Sequence, residues 1–326
     1  MNLAVVGTKF ISDMFIQAAI RTGAYELCTI CSRSAEKGQQ YKERFGFHKA
    51  VQHVRETAED PEVEIVYIAT PNMLHYEHAK ICLEHGKHVI IEKPSFMDAT
   101  QLEDLLALAQ AHDVFLFEAM RSAHNPDYEL IKQHLPEIGK IHYAHFSLMR
   151  DFRPQMADNG GTPTPVFLPE CAGGCNFHLG IYAINAALML IGKPLGTHYE
   201  AVLMDTGVDA SGVCMLRFED CLCTAASSII SSADSVNFIE GEEGKIVFDY
   251  VVTPHTAHLE KNGKIMPIPL AADPEDMAYE AAAFAAIASA KDASAFRKLA
   301  EDMRTRMYIL EDCRKQAGIC FERRHP

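Results

Sequence analysis

A surplus of positive charge is missing from this sequence. Its 326 residues carry 30 Lys and Arg against 44 Asp and Glu, a formal net charge of −14. A surface that coats DNA or RNA needs a basic footprint, so this balance argues against a nucleic-acid partner while leaving room for a local phosphate pocket. Long apolar runs are missing as well. None approaches the ~18 residues that span a bilayer, so no membrane partner is expected. The most apolar segment, Ala183–Gly192, reads as a core helix. The start MNLAVVG has no charged leader or cleavage site and reads as a strand, so the expectation is a cytoplasmic protein without a signal peptide. Metal-site spacing is scarce among the ten cysteines, which are expected to stay reduced. The CxxC at Cys28 and Cys31 falls in an apparent strand, where an odd offset puts the two thiols on opposite faces. Cys171/Cys175 and Cys221/Cys223 lack zinc-type partners and read as small hydrophobes. No HExxH accompanies His75, His78, His85 and His88, so no metal is expected.

What is present is a strand–helix alternation over the first 120 residues. Leu3–Val6, Leu27–Cys31, Ile65–Ala69, His88–Ile91 and Val114–Phe117 are short and mostly apolar, as strands buried on both faces tend to be. Helical patterns Phe10–Thr22, Ala35–Phe45, Met73–Glu84 and Asp98–Ala111 lie between them, with Ser34 as an N-cap and Gly86 as a stop. The pattern predicts an α/β chain whose N-terminal domain, residues 1–120, is a doubly wound parallel sheet of Rossmann type. After residue 120 the pattern changes. Pro126–His134 and Ala183–Ile191 read as helices, and Arg153–Glu170, with four prolines and Gly160–Gly161, as a loop. Lys140–Met149, Gly212–Phe218, Cys221–Ile229, Ser235–Glu240 and Gly244–Tyr250 read as strands of an antiparallel sheet, and Pro274–Ala290 and Ala293–Ala317 as closing helices. Residues 121–326 are therefore expected to form a second, α+β domain.

The first strand ends in Gly7–Thr8–Lys9–Phe10–Ile11–Ser12, where a dinucleotide fingerprint would read G-x-G-x-x-G/A. Lys9 stands where the second glycine lets the backbone approach a pyrophosphate. Its Cβ is expected to crowd the turn, although its ammonium could reach a phosphate at the helix N-terminus. The second strand ends in Ser32–Arg33, without the Asp or Glu that reads a ribose 2′-hydroxyl. Such a pair suits a 2′-phosphate, so NADP leads and NAD is the alternative. Ala69–Thr70–Pro71–Asn72, Glu92–Lys93–Pro94 and Glu118–Ala119–Met120–Arg121 close three further strands. All would lie at the carboxyl edge of the sheet, where open α/β folds bind ligands. A cis bond at Pro94 would aim Lys93 rigidly.

With these segments the chain resembles the Gfo/Idh/MocA family of oxidoreductases. The resemblance rests on Ala69–Thr70–Pro71–Asn72 with His75, Ile91–Glu92–Lys93–Pro94 and Phe117–Glu118–Ala119–Met120. It continues in Ala172–Gly173–Gly174, Gly180–Ile181–Tyr182–Ala183–Ile184 and Gly207–Val208–Asp209. It runs in order along the chain and is nearest the branch with dimeric dihydrodiol dehydrogenases and NADP-dependent xylose dehydrogenases. The resemblance implies a Rossmann domain followed by an open, mostly antiparallel sheet whose exposed face often builds dimers. It implies hydride transfer between a nicotinamide and a sugar, polyol or related hydroxy or keto compound. Lys93 falls on the family's active-site lysine and Tyr182 on its acid/base. A tyrosine with an ordinary pKa near ~10 needs a neighbouring cation to form phenolate, which is the part a lysine can play. His75, Glu92 and Glu118 join the residues around the cofactor, and Met120, Asn176 and His178 those around the substrate. The family usually has Asp where this chain has His178. On a helix, His178 and Tyr182 would share a face, so His178 is either a polar partner in catalysis or a structural histidine. Lys9 and His178 together keep a second reading open, a non-catalytic dinucleotide or sugar sensor. A third is redox-assisted processing of a glycoside.

Overall fold

The computed structural model describes residues 1–158, 164–233, 236–271 and 277–321. In chain order these form β1 (Asn2–Val6), α1 (Phe10–Thr22), β2 (Glu26–Cys31), α2 (Ala35–Phe45), β3 (Lys49–Val51) and α3 (Val54–Glu59). Next come β4 (Ile65–Ile68), α4 (His75–Glu84), β5 (His88–Glu92), α5 (Ala99–Ala111) and β6 (Leu116–Ala119). They are followed by α6 (Asp127–Gln133), β7 (Ile141–Met149), α7 (Arg153–Asp158) and a π-helical turn (Asn176–Gly180) that runs into α8 (Ile181–Leu190). Strands β8 (Gly196–Leu203), β9 (Asp209–Arg217), β10 (Leu222–Ser228), β11 (Asn237–Gly241), β12 (Lys245–Phe248), β13 (Ala257–Lys261) and β14 (Lys264–Ile268) precede α9 (Met277–Ala290) and α10 (Ala293–Gln316).

The chain divides into two compact units. The first comprises Met1–Met120 and Met277–Met307, the second Arg121–Asp276 and Tyr308–Pro326. The boundary at residue 120 agrees with the change of pattern in the sequence. The return of residues 277–307 to the first unit does not, because all of 121–326 was expected in the second domain. The reason is packing. Phe284 of α9 stacks on Phe117 of β6 at 4.8 Å, and the Tyr25 hydroxyl donates to the Ala281 carbonyl at 2.7 Å.

The first unit is a six-stranded, all-parallel sheet in the order β3-β2-β1-β4-β5-β6, the doubly wound Rossmann order with its switch point between β1 and β4. One face is covered by α1 and α9 through Phe15, Ile16, Ala19, Phe284 and Ala288. The other is covered by α4, α5 and α10 through Cys82, Leu83, Leu102, Leu105, Met303 and Met307. Burial on both faces is why the strands carry continuous apolar runs rather than alternation.

The CxxC expectation is corrected here. Cys28 and Cys31 both pack into the α4/α5 face, while Leu27 and Ile30 face α1. The register between β1 and β2 slips by one residue at Cys28, with Leu3 opposite Leu27 but Ala4 opposite Thr29. That bulge inverts the parity of the strand. Cys28 thereby comes near Asp60 and Glu62, where the Lys49 ammonium already bridges the two carboxylates at 2.9 and 2.8 Å.

The second unit is an eight-stranded sheet in the order β14-β13-β12-β11-β7-β10-β9-β8, antiparallel except for the β7–β10 pair. Its edge strands β8 and β14, and β13 beside the latter, were not foreseen, nor were β3 and α3 of the first unit. The strand expected at Val114–Phe117 lies two residues later, at Leu116–Ala119. Within the expected loop Arg153–Glu170, α7 and short 3-10 turns at Pro165–Phe167 and Pro169–Cys171 occupy the described residues. Residues 159–163, with Gly160 and Gly161, lie outside them.

If α9 is part of the first unit, Phe284→Ala leaves a cavity against Phe117 and should cost about 3–5 kcal/mol. Urea unfolding checks this; a loss below 1 kcal/mol would place α9 outside that core.

Candidate functional site

The carboxyl ends of β1, β2 and β4 enclose a cavity of about 720 Å³. Its floor depends on Gly7, whose φ of +122° disfavours a side chain and whose added Cβ would lie 2.7 Å from the Ala69 carbonyl oxygen. The Gly7 amide donates to the Cys31 carbonyl at 3.0 Å, so the ends of three neighbouring strands are drawn together. Lys9 has φ −124° and ψ 172°, ordinary extended backbone. The backbone at Lys9 is therefore unstrained, and its exposed side chain lines the cavity. Ser32 is buried, with its hydroxyl 3.4 Å from that of Thr8. Ser34 caps α2 by accepting from the Lys37 amide, as expected.

Arg33 lines the same wall, joined by three residues that sequence reasoning did not single out: Lys37, His53 and Arg55. Lys37 lies one helical turn beyond Ser34. His53 and Arg55 follow β3, a three-residue strand too short for the apolar pattern to reveal. On a chain of net charge −14, the cavity wall carries Lys9, Arg33, Lys37 and Arg55, and no carboxylate among the described residues. Ala69, Thr70 and Pro71 form the opposite side with His78, whose Nδ1 lies 3.2 Å from the Thr70 hydroxyl. Burial first, and then the charges of His75 and Arg33, push the His78 imidazole down to about 4. Phe10 and Ile11 do not line the cavity, and Phe10 is 77% exposed. Asn72 and Glu92 also lie beyond its wall, as does Lys93.

Lys93 stands on a second feature of the same sheet edge. The Lys93–Pro94 peptide is cis, as anticipated. Glu92 is buried, accepts from the Tyr67 hydroxyl at 2.6 Å, and receives the Lys93 amide at 3.2 Å on its other oxygen. His75 has no exposed surface. Its Nδ1 faces the carbonyls of Pro94 and Ser95 at 3.2 and 3.0 Å, and its Nε2 faces that of Thr70 at 2.9 Å. The expected contact of His75 with a cofactor is therefore corrected: it ties the Thr70 loop to the Lys93 loop from inside, and burial holds its pKa below the ordinary value. Glu118 is likewise buried, accepting from the Ser95 amide at 3.1 Å and from Arg306. It does not face a ligand either. Met120 is fully buried, which removes it from the expected substrate contacts.

In the second unit, Tyr182 and His178 stand on α8 and the π-helical turn before it. Such turns are frequent at functional sites. The Arg121 guanidinium lies 6.0 Å from the centroid of the Tyr182 ring, within cation–π distance. His178 meets Phe152 edge-on at 5.2 Å. Asn176 is buried, with its Oδ1 packed so closely that a Cβ on Gly180 would approach it to 2.4 Å. Asn176, expected as a substrate contact, is buried, as Tyr182 is.

Asp209 organises this turn. One carboxylate oxygen accepts from the Asn176 amide at 2.9 Å, from the Cys175 thiol at 3.1 Å and from the Tyr199 hydroxyl. Burial and the nearby carboxylate push the Tyr199 and Cys175 pKa values far up. Gly174, at φ +108°, passes so close that a Cβ would stand 1.9 Å from Asp209 Oδ1. The glycines and the Asp that carried the sequence resemblance thus fix the start of the helix that holds Tyr182.

A family model described as "Oxidoreductase family, NAD-binding Rossmann fold" matches residues 1–120, and a GFO/IDH/MocA C-terminal domain model matches residues 130–247. The chain is 30% identical over 327 residues to scyllo-inositol 2-dehydrogenase (NADP(+)) IolU of Bacillus subtilis (strain 168), covering 98% of each. It is 28% identical to trans-1,2-dihydrobenzene-1,2-diol dehydrogenase of Xenopus tropicalis, covering 64% of this chain and 62% of that one. In fold it is similar to KijD10, a 3-ketoreductase from Actinomadura kijaniata solved with NADP and TDP-benzene. The TM-score is 0.86 at 23% identity over 97% of each chain.

The His78 shift has a signed consequence. Its pKa is about 4 when folded, against an ordinary 6.5, so the unfolded chain binds the extra proton between those values. His78 therefore leaves stability intact above pH 6.5 and withdraws it as pH falls toward 4. The melting temperature of His78→Gln should match wild type at pH 8 and fall less steeply between pH 6.5 and 4.5. Parallel curves would contradict the assignment.

Proposed function

The chain belongs to the Gfo/Idh/MocA oxidoreductase family, and from that premise we propose that it is an NADP-dependent dehydrogenase or reductase of a sugar, polyol or related hydroxy or keto compound. The observation that carries the coenzyme assignment is the cavity wall after β2. A ribose 2′-hydroxyl is read by a carboxylate, and none is there. A 2′-phosphate carries close to two negative charges at neutral pH, and Arg33, Lys37 and Arg55 line the wall beside Ser32. The close approach of Gly7 to Ala69 leaves the end of β1 without a side chain, as a pyrophosphate over the start of α1 requires. NAD, lacking the phosphate, would forgo these charge-assisted bonds and bind more weakly.

When bound, the nicotinamide accepts or donates the hydride. The residues' part is the proton. In the oxidative direction the carbinol hydroxyl gives its proton to Tyr182, and in reduction Tyr182 returns it to the carbonyl oxygen. Lys93, on the first unit, is the cation assigned to hydrogen-bond the substrate oxygen. His178 takes the place of the usual acidic residue as a polar partner. The similarity to an inositol dehydrogenase over nearly the whole chain supports a polyol or sugar substrate. The sensor reading keeps its two motives, Lys9 and His178, although the backbone at Lys9 is unstrained.

The coenzyme and proton assignments are tested together. Arg33→Ala or Arg55→Ala should weaken NADPH about tenfold to a hundredfold and leave NADH unchanged. Tyr182→Phe should lower kcat by about 10²–10⁴ without changing NADPH affinity. Equal affinity of wild type for both coenzymes would overturn the phosphate assignment.

We propose a homodimer, a reading that the open sheet of the second unit supports. Val202, Val213, Met215, Leu222 and Ile265 are 66%, 43%, 37%, 42% and 69% exposed, an apolar display that a second copy would cover. Sedimentation velocity should show a dimer that Val213→Glu dissociates; a wild-type monomer would refute it. Eight of the ten cysteines are buried thiols, which supports a reducing, cytoplasmic setting.

A further inference from the structure

Behind the Lys93 loop lies a buried ion pair outside the coenzyme cavity. Arg306 of α10 and Glu118 of β6 are 188 residues apart in sequence, yet the guanidinium meets one carboxylate oxygen at 2.9 Å through Nε and 2.8 Å through a terminal nitrogen. Their side chains are 5% and 3% exposed. Stability alone does not account for such a pair, because desolvating two charges often costs as much as their attraction returns and an apolar pair of similar volume packs as well. What sets it apart is the other carboxylate oxygen, which accepts from the Ser95 amide at 3.1 Å. Ser95 is two residues beyond Lys93. Its carbonyl, and that of Pro94, are held from the other side by His75. The backbone after Lys93 is thus gripped at its amide by a carboxylate and at its carbonyls by an imidazole. Of the two grips, only the first depends on a residue of the C-terminal helix.

We propose that Arg306 is a positioning residue for the reaction: by fixing the Glu118 carboxylate it fixes the backbone at Ser95, and with it the direction in which Lys93 presents its ammonium. Arg306 touches neither substrate nor coenzyme. Its effect passes through Glu118 and Ser95, and the inference rests on the role of Lys93 given above. Displacing a positioned group by about 1 Å can cost a reaction on the order of a hundredfold, so a guanidinium that holds one hydrogen bond in place is enough to matter. The coenzyme cavity meets this loop through His75 and Thr70, a grip that does not use Arg306, so NADPH affinity should be kept.

The test uses the full-length protein as Arg306→Met and as the double variant Arg306→Met/Glu118→Gln. Arg306→Met alone strands a buried carboxylate and should lose stability; the double variant removes that charge and should recover it. The proposal expects kcat to stay low in both, by about tenfold to a hundredfold, with unchanged NADPH affinity. It also expects the midpoint of the pH dependence of kcat to move upward, because the substrate hydroxyl loses part of the field of the Lys93 ammonium. If kcat and the pH profile return to wild type together with stability in the double variant, Arg306 is structural only and the proposal fails. Amide hydrogen exchange of the folded variants supplies a readout that needs no activity. Faster exchange confined to residues 93–97 supports the positioning role, and wild-type protection there refutes it. Should the wild-type enzyme turn over no sugar or polyol, the function proposed above fails, while the exchange result still decides whether Arg306 holds the loop.

Discussion

Between Gly7 and the Ala69 carbonyl there is no room for one further carbon atom, and the ligand edge of the first unit is arranged around that contact. It brings the ends of β1 and β4 together where the strand order reverses. In an open parallel sheet the helices that follow the two strands leave on opposite faces at this place, and a crevice opens between them. A side chain at residue 7 would fill the crevice and push the strands apart. With glycine, the helix that starts at Phe10 points its first amides toward the edge, and the wall after β2 can close over whatever lies there.

Charge then decides what the crevice accepts. The molecule as a whole is acidic, which repels anions at long range, but screening confines that repulsion to about 8–10 Å at physiological salt. Inside the cavity the nearest charges are cationic, and the near field prevails. The two units divide the labour in a comparable way. In the first, buried carboxylates and His75 fix the loop that bears Lys93. In the second, a single buried carboxylate, Asp209, fixes the start of the helix that bears Tyr182. In both, the buried polar groups serve the groups they aim.

How much of this was legible in the sequence differs from element to element. The parallel strands and helices α1 and α2 were readable because continuous apolar runs and helical periodicity are strong signals in long elements. β3 and α3 were not, since three- and six-residue elements carry too little pattern, and with them Arg55 went unseen. The bulge at Cys28 is invisible to a parity argument, which assumes an unbroken ladder. The Lys93 loop and the Tyr182 helix were legible as motifs, but the parts of their neighbours were not. His75, Glu118, Met120 and Asn176 were expected to face ligands because they adjoin residues of the family motifs. Hydrogen bonds that no local pattern reports turn His75 and Glu118 inward, and Met120 and Asn176 are buried, as Tyr182 is. Likewise the place of α9 depends on Phe117 and Phe284 meeting across 167 residues, a long-range contact.

The central claim is that the basic wall holds the 2′-phosphate of NADP, and phosphorus NMR of the bound coenzyme tests it most directly. A free phosphate monoester takes up its second proton near pH 6. Held by Arg33, Lys37 and Arg55, the bound 2′-phosphate should stay mostly dianionic as the pH is lowered from 8 to 6, its midpoint moved down by about one unit or more. A bound resonance that titrates like the free coenzyme would contradict the account, because the phosphate would then lie in solvent rather than against those cations.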